Sequence, residues 1–545
     1  MRTAALPICL LLSWTLSVSA AVYHVSPGGD DNNPGTEQLP WATIQRGADA
    51  AVAGDTVYIH GGTYHEGAIT PAHSGSAGEG WIVFSAWTGE RPLIDGSGSE
   101  SSTGIILSCN SYIELRGLVV ANFSDTGIWI EFSDHVRLID CVVRDVMYGI
   151  GVSYGSHDFE LRGVEIYNFD LYGFDASPGD GLPCYNGYFF RCKAYAGNDR
   201  QQNVDGFALG HGDQYGFVFE QCEVYDVFDG FDISARETTL NRCAARDCWN
   251  GGYKLWQNDI RLVNCLAFRN AVTNVELDWS GTPKRVALQN CTFHDAGTFN
   301  VWVENSADSL FMTNCILSGG DNIGLCFEQR DVRRYRGDYN LFHNDNAARA
   351  VTVGYEDEFS LDDVRTGAWK AYCGRDVHSR TVAGATQIFK DAMQYNLRLF
   401  KTSAAVDHGT PQGAPPEDYD GNPRPKGAGY DIGAFEWQGE TTDVARKRVG
   451  HDRDFLRVEI FPQPARGRVE LRITAAVSGS VEAAIFDVTG RQVAAFRHRV
   501  VSDKEFSFFW DGAGSEGRSA PPGVYFCTVA TERGAVVKAF VFSSF

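Results

Sequence analysis

A single cysteine recurs along the middle of this chain at nearly constant spacing, and that recurrence limits what the chain can become. It ends the phrases LIDC at Cys141, FRC at Cys192, EQC at Cys222, NRC at Cys243, VNC at Cys265, QNC at Cys291 and TNC at Cys315. The glycine of LRG, at Gly117 and Gly163, is read as filling the same place, and the intervals are 21 to 30 residues. A chain of 545 residues is too long for one compact core unless it is built by repetition. A small residue stacked once per turn of a solenoid satisfies both facts, because free cysteine packs as a small hydrophobe. Of the fourteen cysteines, Cys9 sits in an N-terminal apolar leader, which leaves thirteen, an odd number that cannot all pair. Mostly free thiols are therefore expected, with Cys184, Cys248, Cys326 and Cys373 outside the ladder.

About ten residues after each cysteine comes a short segment: TGIWIEF, YGIGVSY, YGFDASP, DGFALGH, DGFDISA, GGYKLWQ, TNVELDW, FNVWVEN. Two columns in it are apolar. One holds Ile128, Ile150, Phe174, Phe207, Phe231, Tyr253, Val275 and Val301; the other, two residues on, holds Ile130, Val152, Ala176, Leu209, Ile233, Leu255, Leu277 and Val303. Between them runs Trp129, Gly151, Asp175, Ala208, Asp232, Lys254, Glu276, Trp302. Period two means short strands, with the middle column on the opposite face. Short strands repeating every 21 to 30 residues, without helical periodicity between them, predict an all-β protein whose main body is a parallel β-helix. Equivalent residues of successive turns then lie about 4.8 Å apart.

That stacking gathers chemistry. Asp205 and Asp229 each precede a glycine at the start of adjacent strands, while Asp232, Lys254 and Glu276 follow one another outward. Three aspartates on two rungs repel and raise one another's pKa unless a cation joins them, and carboxylate oxygens in an irregular set suit Ca²⁺. Each aspartate alone could simply cap a turn, and an isolated outward lysine is usually a solvated charge. The juxtaposition points to a site: Lys254, flanked by Tyr253, Leu255, Trp249 and Trp256, could act as a general base.

The ends add context. MRTAALPICLLLSWTLSVSA, residues 1–20, reads as a secretory signal peptide. No later stretch has about 18 uninterrupted apolar residues, so no membrane span is expected, and a secreted or cell-surface location is. The net charge of −22 excludes a duplex nucleic-acid binder, which needs a basic footprint. A charged linker follows the β-helix (21–437) at 438–454. Alternating segments between glycine-rich turns then predict a small β-sandwich at 455–545.

YHVSPGGDDNNPGTEQLPWATIQRGADAAVAGDTVYIHGGTYHE resembles the opening of secreted right-handed β-helix proteins related to family nine polysaccharide lyases, where it forms a capping helix, here about 44–53; the resemblance thus implies a right-handed parallel β-helix. NVDGFA at Asn203–Ala208 is similar to that family's NADGFA element, FDGFD at Phe228–Asp232 to its DDGxD element, and NGGYKL at Asn250–Leu255 to the segment bearing its lysine. The resemblance extends to about residue 330. It implies Asp205, Asp229 and Asp232 as calcium ligands, Lys254 as the base, and β-elimination on a uronic-acid polymer, pectate first. Phe228 replaces one expected aspartate, a place Asp226 or Asp180 could take. Trp256 and Arg236 are candidates to line the groove. DYDGNPRPKGAGYDIGAFEWQG, 418–439, resembles the ending of many secreted bacterial β-helices. The C-terminal segment resembles type IX secretion sorting domains and FlgD-type immunoglobulin-like modules, with that secretion machinery as its implied partner. A monomer is expected. Two other classes compete: a surface adhesin or glycan-binding solenoid without catalysis, and a glycoside hydrolase using a carboxylate pair such as Asp229 with Asp232 or Asp205.

Overall fold

The computed structural model describes residues 20–439, apart from 199–202, 278–284, 305–308, 320–322 and 346–348, and beyond them the strands between 456 and 543. Two compact units result, Met1–Gly439 and Glu440–Phe545. The leader and nearly all of the expected linker lie outside the described residues.

The first unit is a right-handed parallel β-helix. One sheet stacks thirteen strands in sequence order, from Val22–Val25 to Arg336–Asp338. Two further columns of strands close the coil; in the early turns they run together, as in Val119–Glu131, Val142–Ser153 and Glu165–Ser177, and later separate into short strands. Registers follow the sequence columns throughout: Ile150 pairs with Ile128 and Phe174, Phe207 with Phe231, and Phe231 with Tyr253. Facing inward, the aromatic members stack ring on ring, Phe207 to Phe231 at 5.2 Å and Phe231 to Tyr253 at 5.1 Å. All are buried.

The cysteine ladder is interior and none of its members is disulfide-bonded. Each thiol points at a carbonyl of the preceding turn, as Cys265 does to Leu240 at 3.3 Å and Cys291 to Leu262 at 3.4 Å. Gly117 and Gly163 do not fill the cysteine slot. They stand one residue earlier, at φ of 70° and 62°, in a left-handed corner shared with Asp140, Arg191, Gln221, Arg242, Asn264, Asn290 and Asn314. The backbone bonds Val142 to Leu118 and Lys193 to Val164 place Leu118 and Val164 in the slot itself. Sequence spacing cannot see φ, so a glycine needed for its backbone was matched to a residue needed for its size.

Both ends are covered. The helix Ile44–Ala50 is capped by Thr43, whose hydroxyl accepts from the Arg46 amide, and buries Ile44, Gly47 and Ala48. After two short helices, Leu361–Thr366 and Ala368–Cys373, the chain returns along the β-helix. There Ile388, Leu397, Leu399, Ile432 and Phe435 pack on Ala244, Leu266, Ile316 and Leu341. Each of these last stands two residues after a left-handed corner, with Thr292 between Leu266 and Ile316 in the same column; on the three turns just before Ala244, which lie outside this packed cluster, that column is Glu165, Lys193 and Glu223. Corner asparagines fix the returning segment: Asn264 donates to Glu417 O at 2.8 Å and Asn314 to Thr410 O at 2.8 Å. No helix among the described residues is long and apolar enough to cross a membrane.

In the second unit a three-stranded antiparallel sheet (Leu456–Phe461, Val469–Ala475, Lys504–Trp510) and a five-stranded sheet form a small β-sandwich. Its own core holds Leu471, Ile473, Val481, Ile485, Trp510, Tyr525 and Val529.

Candidate functional site

The strands Asp205–Leu209, Asp229–Ile233, Gly251–Leu255 and Thr273–Leu277 lie side by side. Asp205 pairs with Asp229, Ala208 with Asp232, Asp232 with Lys254, and Lys254 with Glu276. The outward column was thus legible from spacing alone. It brings Lys254 Nζ to 2.9 Å from Asp229 Oδ2 and 3.4 Å from Asp232 Oδ2.

Local sequence explains each placement. Asp229 is wholly buried, and its Oδ1 accepts from Asn250 Nδ2 and from the Gly251 amide, both at 2.9 Å. A Cβ on Gly251 would come within 3.0 Å of that same oxygen, so glycine there is what lets the amide reach the carboxylate. Asp205 is held from one side, Oδ2 accepting from Asn203 Nδ2 at 3.0 Å, while its buried Oδ1 has no partner. Trp256 closes the other flank, its ring centroid 4.5 Å from Lys254 Nζ, a cation–π contact. Arg236 lies beyond the following turn, over the Tyr215 ring and paired with Glu237. Phe228 packs against the interior instead of offering a ligand. Asp226 accepts from the Trp249 indole at 2.9 Å, in a corner cleft with Tyr225, Asp247 and Arg269.

Electrostatics here are crowded. Burial, then the charges of Asp229 and Asp232, push the Asp205 carboxyl well above the ordinary range. Asp232 is raised by burial, an effect Lys254 opposes. Burial alone would lower Lys254; the charges of Asp232 and Asp229 outweigh it and hold the ammonium protonated. Glu276 is raised to about 7 by burial, with Lys254 opposing and Glu304 adding.

Two residues to which the sequence assigns no role also stand near the site. Tyr172 is the register partner of Asp205 and is pushed up to about 12 by burial and then by Asp205, Asp175 and Asp232. Asp175, raised to about 6 by burial, lies two rungs from Asp232 across Ala208. Both stand in columns already aligned; a search limited to adjacent charges passes over them.

Among the described residues no set of three His, Cys, Asp or Glu side chains is arranged as a metal-ligand group. The donor chemistry nevertheless fits a hard cation: three carboxylates on two rungs, an orphaned buried oxygen on Asp205, and, among the described residues, one ammonium as the only positive charge bonded to them.

Residues 23–301 match the profile of the Pel9A-like right-handed β-helix region. Over 222 residues the chain is 29% identical to pectate lyase PEL9 of Emericella nidulans, covering 40% of this chain and 50% of that protein. It is 32% identical over 135 residues to the uncharacterized protein YwoF of Bacillus subtilis, covering 23% and 28%. The chain therefore spans half or less of these relatives' lengths. Among solved structures, that of pectate lyase Pel9A aligns with 77% of this chain and 97% of its own, at 17% identity and a TM-score of 0.49.

Proposed function

The chain belongs to the Pel9A-like right-handed β-helix family, and from that premise we propose that it is a secreted, calcium-dependent polysaccharide lyase that cleaves a uronic-acid polymer by β-elimination. Pectate is the first substrate to try. The observation that carries this reading is the register-matched cluster of Asp205, Asp229, Asp232 and Lys254, with the lysine amine 2.9 Å from a fully buried carboxylate.

Asp205, Asp229 and Asp232 are the residues that would hold calcium. A bound calcium ion would neutralise the sugar carboxylate and acidify the hydrogen on carbon 5. Lys254 removes that proton as general base, and the bond from carbon 4 to the glycosidic oxygen breaks without consuming water. With the aspartates committed elsewhere, burial is left as the main influence on Lys254, and burial favours the neutral amine. Asn250 and Gly251 fix Asp229 so that it does not follow the lysine when that ion pair parts. Trp256 screens the amine from solvent and offers a flat face to a sugar ring.

Incubation with a panel of uronate polymers tests the reading. Absorbance from the carbon 4–5 double bond is expected, lost with chelator and restored by added calcium. Saturated product indifferent to chelator would support the hydrolase; tight binding without any product would support the adhesin. For the C-terminal sandwich we propose a role in export or surface attachment.

A further inference from the structure

We propose that Glu276 is the catalytic acid of this site, delivering a proton to the departing glycosidic oxygen of a diaxially linked uronan that lies along the outward column. The proposal rests on the lyase reading above and adds the group that the reading leaves unnamed.

Glu276 is the register partner of Lys254 and is 8% exposed. Its carboxyl makes no hydrogen bond among the described residues, unlike that of Asp229. Lys254 stands on the rung between Asp232 and Glu276, so the carboxylates that would hold calcium lie on one side of it along the axis and Glu276 on the other. The two groups therefore flank a position along the β-helix axis, with backbones about 4.8 Å apart. Burial raises Glu276 to about 7; of the charges facing it Lys254 opposes the shift while Glu304, Asp229 and Asp232 add to it, so that it is protonated for part of the time near neutral pH. Once the aspartates are engaged with a cation, Lys254 is the group left to accept a proton and Glu276 the group left to give one, the division of tasks of an acid–base pair.

Stereochemistry selects the substrate. In a 1,4-linked uronan with axial bonds at carbons 1 and 4, as in α-linked galacturonan, the chain runs roughly along the ring normal. The axial hydrogen on carbon 5 and the axial oxygen on carbon 4 then point in opposite directions along the chain. A base and an acid displaced along one axis meet that anti arrangement. The same geometry directs the non-reducing side of the cleaved bond toward the rung of Phe299–Val303.

The step balances within the protein. Lys254 takes the proton from carbon 5, the electrons of that bond form the carbon 4–5 double bond, the bond to oxygen 4 breaks, and the oxygen takes the proton of Glu276. Ammonium and carboxylate are left on adjacent rungs, and one proton passed back resets them.

The test compares Glu276→Gln with wild type in the full chain with calcium, on two substrates: the polymer, and a uronide carrying a nitrophenyl ether at carbon 4, whose phenolate leaves without protonation. The expected result is a kcat on the polymer lower by roughly 100-fold or more, a near-unchanged rate on the nitrophenyl ether, and loss of the alkaline limb of the polymer pH profile. Glu276→Asp, which keeps the carboxyl, should recover part of the polymer rate. Equal losses on both substrates would reduce Glu276 to a packing role and overturn the assignment, as would a wild-type kcat on the polymer. A wild type that yields no unsaturated product from any uronan removes the lyase reading and this assignment together; unsaturated product formed by Glu276→Gln at full rate removes the assignment alone.

Discussion

The cysteine column inside the β-helix and the Asp–Lys column on its face obey the same spacing and behave oppositely. From Cys192 through Cys222, Cys243, Cys265 and Cys291 to Cys315 the interior repeats one residue, because each turn presents the same small apolar slot backed by the carbonyl of the turn before. Across the same turns the outward column reads Ala208, Asp232, Lys254, Glu276, Trp302. Packing asks for uniformity; a reaction asks for unlike groups at fixed separations. A solenoid supplies the separations without cost, so the place where its outward column stops being uniform and solvated is where chemistry is to be sought. Lys254 and Glu276 are both 8% exposed on the outward face; Lys254 is ion-paired there with Asp229 and Asp232, whereas Glu276 makes no such pair among the described residues.

Replacing Lys254 would break the contrast most severely. Lys254→Ala is expected to lower elimination by about 10³-fold or more, the upper part of the range for losing a general base, while calcium affinity measured by calorimetry stays equal or rises because a competing charge has gone. Unsaturated product at the wild-type rate would end the base assignment.

The aspartates should fail in another way. Asp229→Ala and Asp232→Ala are expected to weaken calcium binding, with activity partly recovered at excess calcium, and chelation of the wild type should mimic them. Asp205→Asn separates function from stability. In calcium-free protein it removes a carboxylate that burial and two neighbouring charges disfavour, so the melting temperature should rise, while calcium affinity falls. A lower melting temperature in the calcium-free variant would mean that Asp205 is held by more than its bond to Asn203.

Much of this was readable before any coordinates. The inward columns and the register that sets Asp232 beside Lys254 and Lys254 beside Glu276 follow from periodicity alone, while the capping helix was implied by the resemblance of the opening segment to known β-helix proteins. What stayed hidden depends on angles and on distant chain. The offset of Gly117 and Gly163 is a matter of φ. Covering of Ala244, Leu266, Ile316 and Leu341 is done by residues up to about two hundred positions later. The bonds from Asn203 and Asn250 that aim the aspartates appear only once side chains take their places.

Interior tolerance gives a gentler test. Since Leu118 and Val164 already occupy the cysteine slot, Cys265→Val, which adds one methyl-sized group, should cost about 1–3 kcal/mol in denaturant unfolding and still fold. Cys265→Asp, an unpaired charge in the same slot, should prevent folding. Denatured but unreduced protein should titrate with Cys141, Cys192, Cys222, Cys243, Cys265, Cys291 and Cys315 largely free. Extensive pairing would overturn the ladder as a packing device and undo the likeness of one turn to the next.

The smallest effect is expected from the largest deletion. The β-helix and the sandwich each bury a core of their own, one running from Val25 to Trp369 and the other from Val469 to Val529, and every member of the Asp–Lys–Glu cluster belongs to the first. Removing Glu440–Phe545 should therefore leave the melting transition of the β-helix, its calcium affinity and its rate on uronan within error of the full chain, while the protein's export or surface attachment, followed by fractionation, is lost. The two readouts have to part company for the proposed division of labour to stand. A folded truncation that has lost activity would show that the outward column does not carry the chemistry alone, and normal surface display of the truncation would remove the role assigned to the sandwich.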